Sequence, residues 1–170
     1  MIYPTDTYIG IDPGTTGAIA FLYKDGSFKF FNLPTTSNKT TKGYQKNSYD
    51  LEQILDLLET NSIGKAVITI EHVSSMPTQG ISSTGVMMRC FGQLEGIAYA
   101  FAGGYNLVRP ARWKKHFNIT ADKQESKKLL SSKYKLGRCN HNQTDALCIA
   151  LYAMEIETDA STISKETIQN

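Results

Sequence analysis

A chain of 170 residues with 41% apolar content is long enough for one domain with a real core, and too apolar for a disordered segment. It has no run of about 18 apolar residues and no basic-then-apolar N-terminus, so neither a membrane partner nor a secretory signal is expected. The net charge of +2 hides an asymmetry: Arg109 to Arg138 holds ten Lys and Arg against Asp122 and Glu125, a local +8 that leaves −6 elsewhere.

Such clustering is the electrostatic footprint of a nucleic-acid binder; the plainer alternative is a solvated, lysine-rich helix face. The three cysteines, Cys90, Cys139 and Cys148, are odd in number and irregularly spaced. They read as reduced thiols in a cytosolic compartment. Cys139-x-His141 with Cys148 lacks the paired spacing of a zinc site.

In chain order, Tyr8 to Asp12 is the first predicted strand. Ile9 and Ile11 are β-branched, and Pro13-Gly14 stops the strand at Asp12. Ala18 to Tyr23 and Phe28 to Leu33 form a hairpin through Asp25-Gly26. The polar stretch Pro34 to Ser48 reads as a loop whose Lys39, Lys42 and Lys46 could reach a phosphate backbone. Tyr49 to Asn61 carries Leu51, Ile54, Leu55 and Leu58 at amphipathic-helix spacing, with Ser48 or Asp50 as cap. Lys65 to His72 is a near-continuous apolar strand, as in a sheet covered on both faces, and it too ends on a carboxylate, Glu71.

A loop at Val73 to Ser83 precedes a long helix to about Gly103, where Gly85, Gly92, Gly96 and Ala100 form a smooth stripe suited to close helix packing, within the fold or across a dimer. Tyr105 to Arg109 is a short strand. Pro110 opens a helix to Asn118 bearing Arg112, Trp113, Lys114 and Lys115. Trp113 among cations can stack on a base, but reads first as a core anchor. A basic helix runs from Asp122 to about Tyr134, with Lys123, Lys127 and Lys128, and a final, largely apolar helix from about Asn140 to Glu155. Beyond Ile156 no apolar period remains, and a frayed tail is expected.

The candidate chemistry lies in the carboxylates. Asp12 alone is simply explained as a turn cap. Two strand ends that meet side by side, however, would bring Asp12 next to Glu71, and neighbouring carboxylates repel unless a divalent cation joins them. Asp145 lies deeper in its helix than a cap needs, and a buried Asp is costly unless paired or metal-bound. His141 and Asn142, four and three residues earlier, adjoin it.

Three groups of residues then carry a resemblance over roughly Tyr8 to Glu155: Ile9-Gly10-Ile11-Asp12-Pro13-Gly14; Ile70-Glu71 with the Met76-Pro77 loop and its long helix; and Arg109-Pro110-Ala111-Arg112 with Lys115, Ala121-Asp122-Lys123 and Asp145-Ala146-Leu147. Together they resemble the RuvC family of Holliday junction resolvases, particularly its phage-encoded members. The resemblance implies an α/β fold, an RNase H-like mixed sheet with helices on both faces, in a single domain over 1–156 with a tail over 157–170. It implies a metal-dependent endonuclease that nicks four-way DNA junctions symmetrically as a homodimer, in the cytoplasm (the host's if phage-encoded).

Two Mg²⁺ or Mn²⁺ ions would be held by Asp12, Glu71 and Asp145, with His141 or Asn142 where the family places a fourth ligand. A carboxylate is absent there, and imidazole suits Mn²⁺ better than Mg²⁺. Lys115 and Lys123 match basic residues near the scissile phosphate, and Arg112, Lys114, Lys127 and Lys128 would add to DNA binding. The products would be 5′-phosphate and 3′-hydroxyl ends.

Other readings are a nuclease for flaps, forks or RNA–DNA hybrids, and a non-cleaving junction binder. Gly10 to Gly17 also resembles the first phosphate loop of actin/Hsp70-type ATPases, but no second such loop follows, so no nucleotide cofactor is expected.

Overall fold

Strand β1 (Thr7–Asp12) forms the middle of a five-stranded sheet, flanked by β2 (Ala18–Tyr23) and β6 (Ala66–Glu71). The edges are β3 (Phe28–Asn32), beside β2, and β7 (Asn106–Val108), beside β6. β1, β2 and β3 pair antiparallel, as the Asp25-Gly26 hairpin and the turn after Asp12 require, whereas β6 and β7 join parallel. The computed structural model describes residues 5–14, 16–39, 45–74, 80–120 and 124–168.

Side chains alternate across this sheet. Ile9, Ile11, Ile68 and Ile70 face α1 (Leu51–Asn61) and α2 (Ile81–Ala102), packing on Ile54, Leu58, Phe91 and Leu94. Tyr8, Ala18, Ala20 and Leu22 face the other way, onto α5 (His141–Ile168) and its Ala146–Tyr152 stretch. Burying each Ile or Leu side chain contributes roughly 1.5–3 kcal/mol. This is the mixed sheet with helices on both faces expected from the sequence.

Local chemistry sets the helix ends. Asp50 caps α1 by accepting the Gln53 N–H at 3.1 Å. Gly103, at φ 72°, closes α2 in the left-handed conformation. Pro110 starts α3 (Pro110–His116) at a position that has no need of its N–H.

Three elements differ from the sequence expectation. The stretch read as a loop contains a separate hairpin, β4 (Thr35–Lys39) paired with β5 (Gln45–Tyr49). Its strands are polar, so they carry none of the apolar alternation by which strands are recognised. Lys42 and the side chains of Lys39 and Lys46 lie outside the described residues. Helix α4 (Glu125–Lys133) begins later than Asp122, and 121–123, with Lys123, also lie outside them. Helix α5 runs on to Ile168, past the expected end at Glu155. Polar bonds, which leave no hydrophobic period, hold the start of that extension: Glu155 accepts from His116 and Lys133, Glu157 accepts from Thr5 at 2.8 Å, and Thr158 donates to the Met154 carbonyl at 2.8 Å.

The glycine stripe of α2 faces open space among the described residues. A Cβ added at Gly85, Gly92 or Gly96 would meet nothing among the described residues within 4 Å. The close packing that the stripe permits is therefore not made among the described residues.

Candidate active site

The site is built where β1 and β6 end. Their parallel register pairs Ile11 with Ile70, so Asp12 and Glu71, one residue further, stand side by side. Ile11 and Ile70 point toward α1 and α2, so alternation turns both carboxylates toward α5. Helix α5 crosses β1 directly over Gly10, where any Cβ would land in the backbone of Ala146 and Ala150. That crossing brings Asp145, the neighbour of Ala146, over the two strand ends.

The electrostatics record the convergence. Burial is the main cause that pushes the Asp12 carboxyl up to about 8, with Glu71 and then Asp145 adding repulsion and Lys114 opposing it. Glu71 is likewise raised, first by burial and also by Asp145, against the indole of Trp113 and the charge of Lys114. One oxygen of Asp145, Oδ1, is shut off from solvent. Such a cluster has a negative field that favours a cation. Among the described residues, however, no group of three or more His, Cys, Asp or Glu is set to hold one metal ion. The oxygen donors are of the kind that hard divalent cations take.

The turn after Asp12 is fixed from two sides. Tyr49, at the end of β5, accepts the Gly14 N–H at 2.8 Å and donates to the Gly14 carbonyl at 3.3 Å. Gly14 sits at φ 149°, a backbone that favours glycine. From α5, the Asn142 amide donates to the Thr16 carbonyl oxygen and to its hydroxyl, the latter at 3.3 Å.

Helix α3 supplies the opposing side. Trp113 is fully buried and its Nε1–H donates to Glu71 Oε2 at 2.7 Å. Lys114 lies 5.2 Å from the centre of that ring and lowers both Asp12 and Glu71. Lys115 and Arg112 stand exposed on the same helix, and Lys127 and Lys128 are exposed on α4. His141, the first residue of α5, is exposed and opens onto a cavity of about 220 Å³ with Gln124, Lys127, Cys139 and Asn140.

The structure thus gathers Asp12, Glu71, Asp145 and Lys114. It aims Asn142, rather than His141, at the turn beside Asp12. Three roles escaped the sequence reading: Tyr49 on Gly14, Trp113 on Glu71, and Lys114 at the carboxylates. For Trp113 a signal existed, because a buried indole N–H requires an acceptor.

No protein-family model and no curated protein matches the sequence. Solved structures do. Thermus thermophilus RuvC in complex with a Holliday junction substrate matches at a TM-score of 0.57 and 16% identity, over 86% of this chain and 91% of that one. The chain has the fold of the RuvC resolvases. A second Thermus thermophilus RuvC structure matches at 0.51 and 17% identity, over 86% and 92% of the two chains. The yeast mitochondrial Holliday junction resolvase Ydc2 matches at 0.50 and 18% identity, over 89% and 79%. The RuvC-like, RNase H-like fold expected from the sequence is the fold observed.

Proposed function

We propose that this protein is a metal-dependent endonuclease that resolves four-way DNA junctions by paired symmetric nicks. The observation that carries the reading is the convergence of Asp12, Glu71 and Asp145 at the ends of the inner strands β1 and β6, next to the basic helix α3. The RuvC-like fold, found in a protein solved with a Holliday junction, supports the choice of substrate.

Two Mg²⁺ or Mn²⁺ ions would be held by carboxylate pairs, Asp12 with Glu71 and Asp12 with Asp145. When bound, such ions supply an activated water and stabilise the leaving 3′ oxygen. For the remaining position the candidates are His141 and Asn142, and the bonds from Asn142 to Thr16 favour Asn142. Lys114 offsets negative charge on the reacting phosphate. Lys115 and Lys123, with Arg112, Lys127 and Lys128, hold the DNA backbone. Paired nicks need two copies of the site, and the unoccupied glycine stripe of α2 is the surface offered for a twofold contact.

The test is incubation with labelled four-way junction, duplex, flap and RNA–DNA hybrid, in Mg²⁺, Mn²⁺ or EDTA, beside Asp12→Asn. Paired nicks in the junction that need metal and Asp12 are the expected result. Preferential cutting of flaps or hybrids keeps the nuclease and changes its substrate. Tight junction binding without cleavage in either metal overturns the enzyme reading.

A further inference from the structure

Trp113 is the only tryptophan of the chain, and its side chain is fully buried. A buried indole N–H needs an acceptor, and a neutral backbone carbonyl would satisfy one that served packing alone. Here the indole N–H donates to the Glu71 carboxylate at 2.7 Å, linking α3 to the end of β6. The ring belongs to the buried core under α5 that also holds Val108, Leu130, Ala146 and Leu147. Packing therefore fixes the direction in which the N–H points.

Glu71 gains most from this. Its side chain is long and loses considerable rotamer freedom when ordered, and a functional carboxylate must be held within about 0.5 Å of its working geometry. We propose that Trp113 is a positioning residue for Glu71, its indole N–H fixing Oε2 and leaving Oε1 as the oxygen open to a divalent cation. The assignment rests on the reading of Glu71 as part of the site. It also explains why the donor comes from α3: the next residue, Lys114, places its ammonium 5.2 Å from the same ring, so one turn of helix delivers both a fixed donor and a cation to the carboxylates.

The single indole makes the assignment directly measurable on the full chain. Its emission is compared between wild type and Glu71→Gln without metal, and wild type is then titrated with Mg²⁺ alone. The emission maximum is expected to shift in Glu71→Gln. Mg²⁺ is expected to move it in wild type and not in the variant. In parallel, benzothienylalanine at position 113 keeps the bicyclic ring but replaces N–H with sulfur, and Trp113→Phe removes the donor by ordinary mutagenesis. Both are expected to weaken Mg²⁺ binding, read by calorimetry, roughly 10–100-fold, with junction affinity in EDTA unchanged. An emission indifferent to Glu71→Gln or to Mg²⁺, or wild-type Mg²⁺ affinity in the benzothienylalanine protein, overturns the assignment. Emission and calorimetry as expected, without junction cleavage, uphold it and remove only the nuclease reading.

Discussion

Tyr49 holds Gly14 by both its N–H, at 2.8 Å, and its carbonyl, at 3.3 Å. The hydroxyl thus takes the place of a neighbouring strand for a residue two positions past Asp12. Burial pushes the Tyr49 phenol up to about 12, so it remains a donor at any working pH. Tyr49→Phe removes both bonds and keeps the ring. It is expected to cost about 1–3 kcal/mol of stability and to slow cleavage several-fold with junction affinity unchanged. Urea melts, with single-turnover rates beside binding curves, check this. A loss of affinity with the rate intact would place Tyr49 in DNA binding instead.

Gly10 and Gly96 make a matched pair. At Gly10 a methyl group meets the backbone of α5, which cannot move aside as a side chain could. Gly10→Ala is expected to destabilise by about 1–3 kcal/mol or more and to displace Asp145 from Asp12, so cleavage falls even where the protein is folded. Gly96→Ala meets nothing among the described residues within 4 Å and adds helix propensity, so the isolated subunit should gain up to about 1 kcal/mol. Denaturation of both variants, with sedimentation to follow assembly, checks the contrast. A Gly10→Ala protein as stable as wild type would mean that α5 does not cross β1 as closely as described.

The contrast shows what the sequence could say. The β-branched residues of β1, the near-continuous apolar run of β6, helical spacing in α1 and the Pro13-Gly14 stop are local signals, and they point to the sheet, its covering helices and two strand-end carboxylates. The β4–β5 hairpin was illegible because its sequence, TTSNK and QKNSY, is almost wholly polar. The link from Trp113 to Glu71 and that from Tyr49 to Gly14 join residues 42 and 35 apart. No local pattern encodes such pairs; they exist only once the sheet register is set. The choice between Lys114 and Lys115 depends on helix phase at α3, which seven residues define poorly. The same applies at the start of α5, where one step along the chain separates His141, on a cavity of its own, from Asn142, on the Asp12 turn.

The raised carboxyls give stability a definite pH dependence. Asp12 titrates at about 8 in the folded chain against 3.8 ordinarily, so between those values the folded state holds a proton that the unfolded state has released. Stability must fall as pH rises through this window and level off above it. The size is on the order of a few kcal/mol. Asp12→Asn should flatten most of the fall, while Glu71, raised in the same direction, keeps part of it. Mg²⁺ at pH 8 should restore wild-type stability in proportion to its binding and do little for Asp12→Asn. Urea midpoints at pH 5 and pH 8, with and without Mg²⁺, give the four numbers needed. A wild-type midpoint that rises with pH contradicts the burial of Asp12.

The start of α5 separates the two candidates for the last metal position. Asn142 donates to Thr16 and so ties α5 to the turn that carries Asp12. His141 is exposed beside Lys127 and Cys139. Asn142→Ala should therefore weaken Mg²⁺ binding by roughly tenfold and lower the cleavage rate with it. His141→Ala should leave the Mg²⁺ affinity within about twofold, because losing an exposed side chain disturbs little. Mn²⁺ sharpens the comparison. Imidazole is a better ligand for Mn²⁺ than for Mg²⁺, so a ligating His141 would show itself as a loss of Mn²⁺ affinity in His141→Ala far exceeding the loss for Mg²⁺. Calorimetry of both variants with both metals decides the point: equal, small losses in His141→Ala place the fourth position at Asn142, and a selective Mn²⁺ loss moves it to His141.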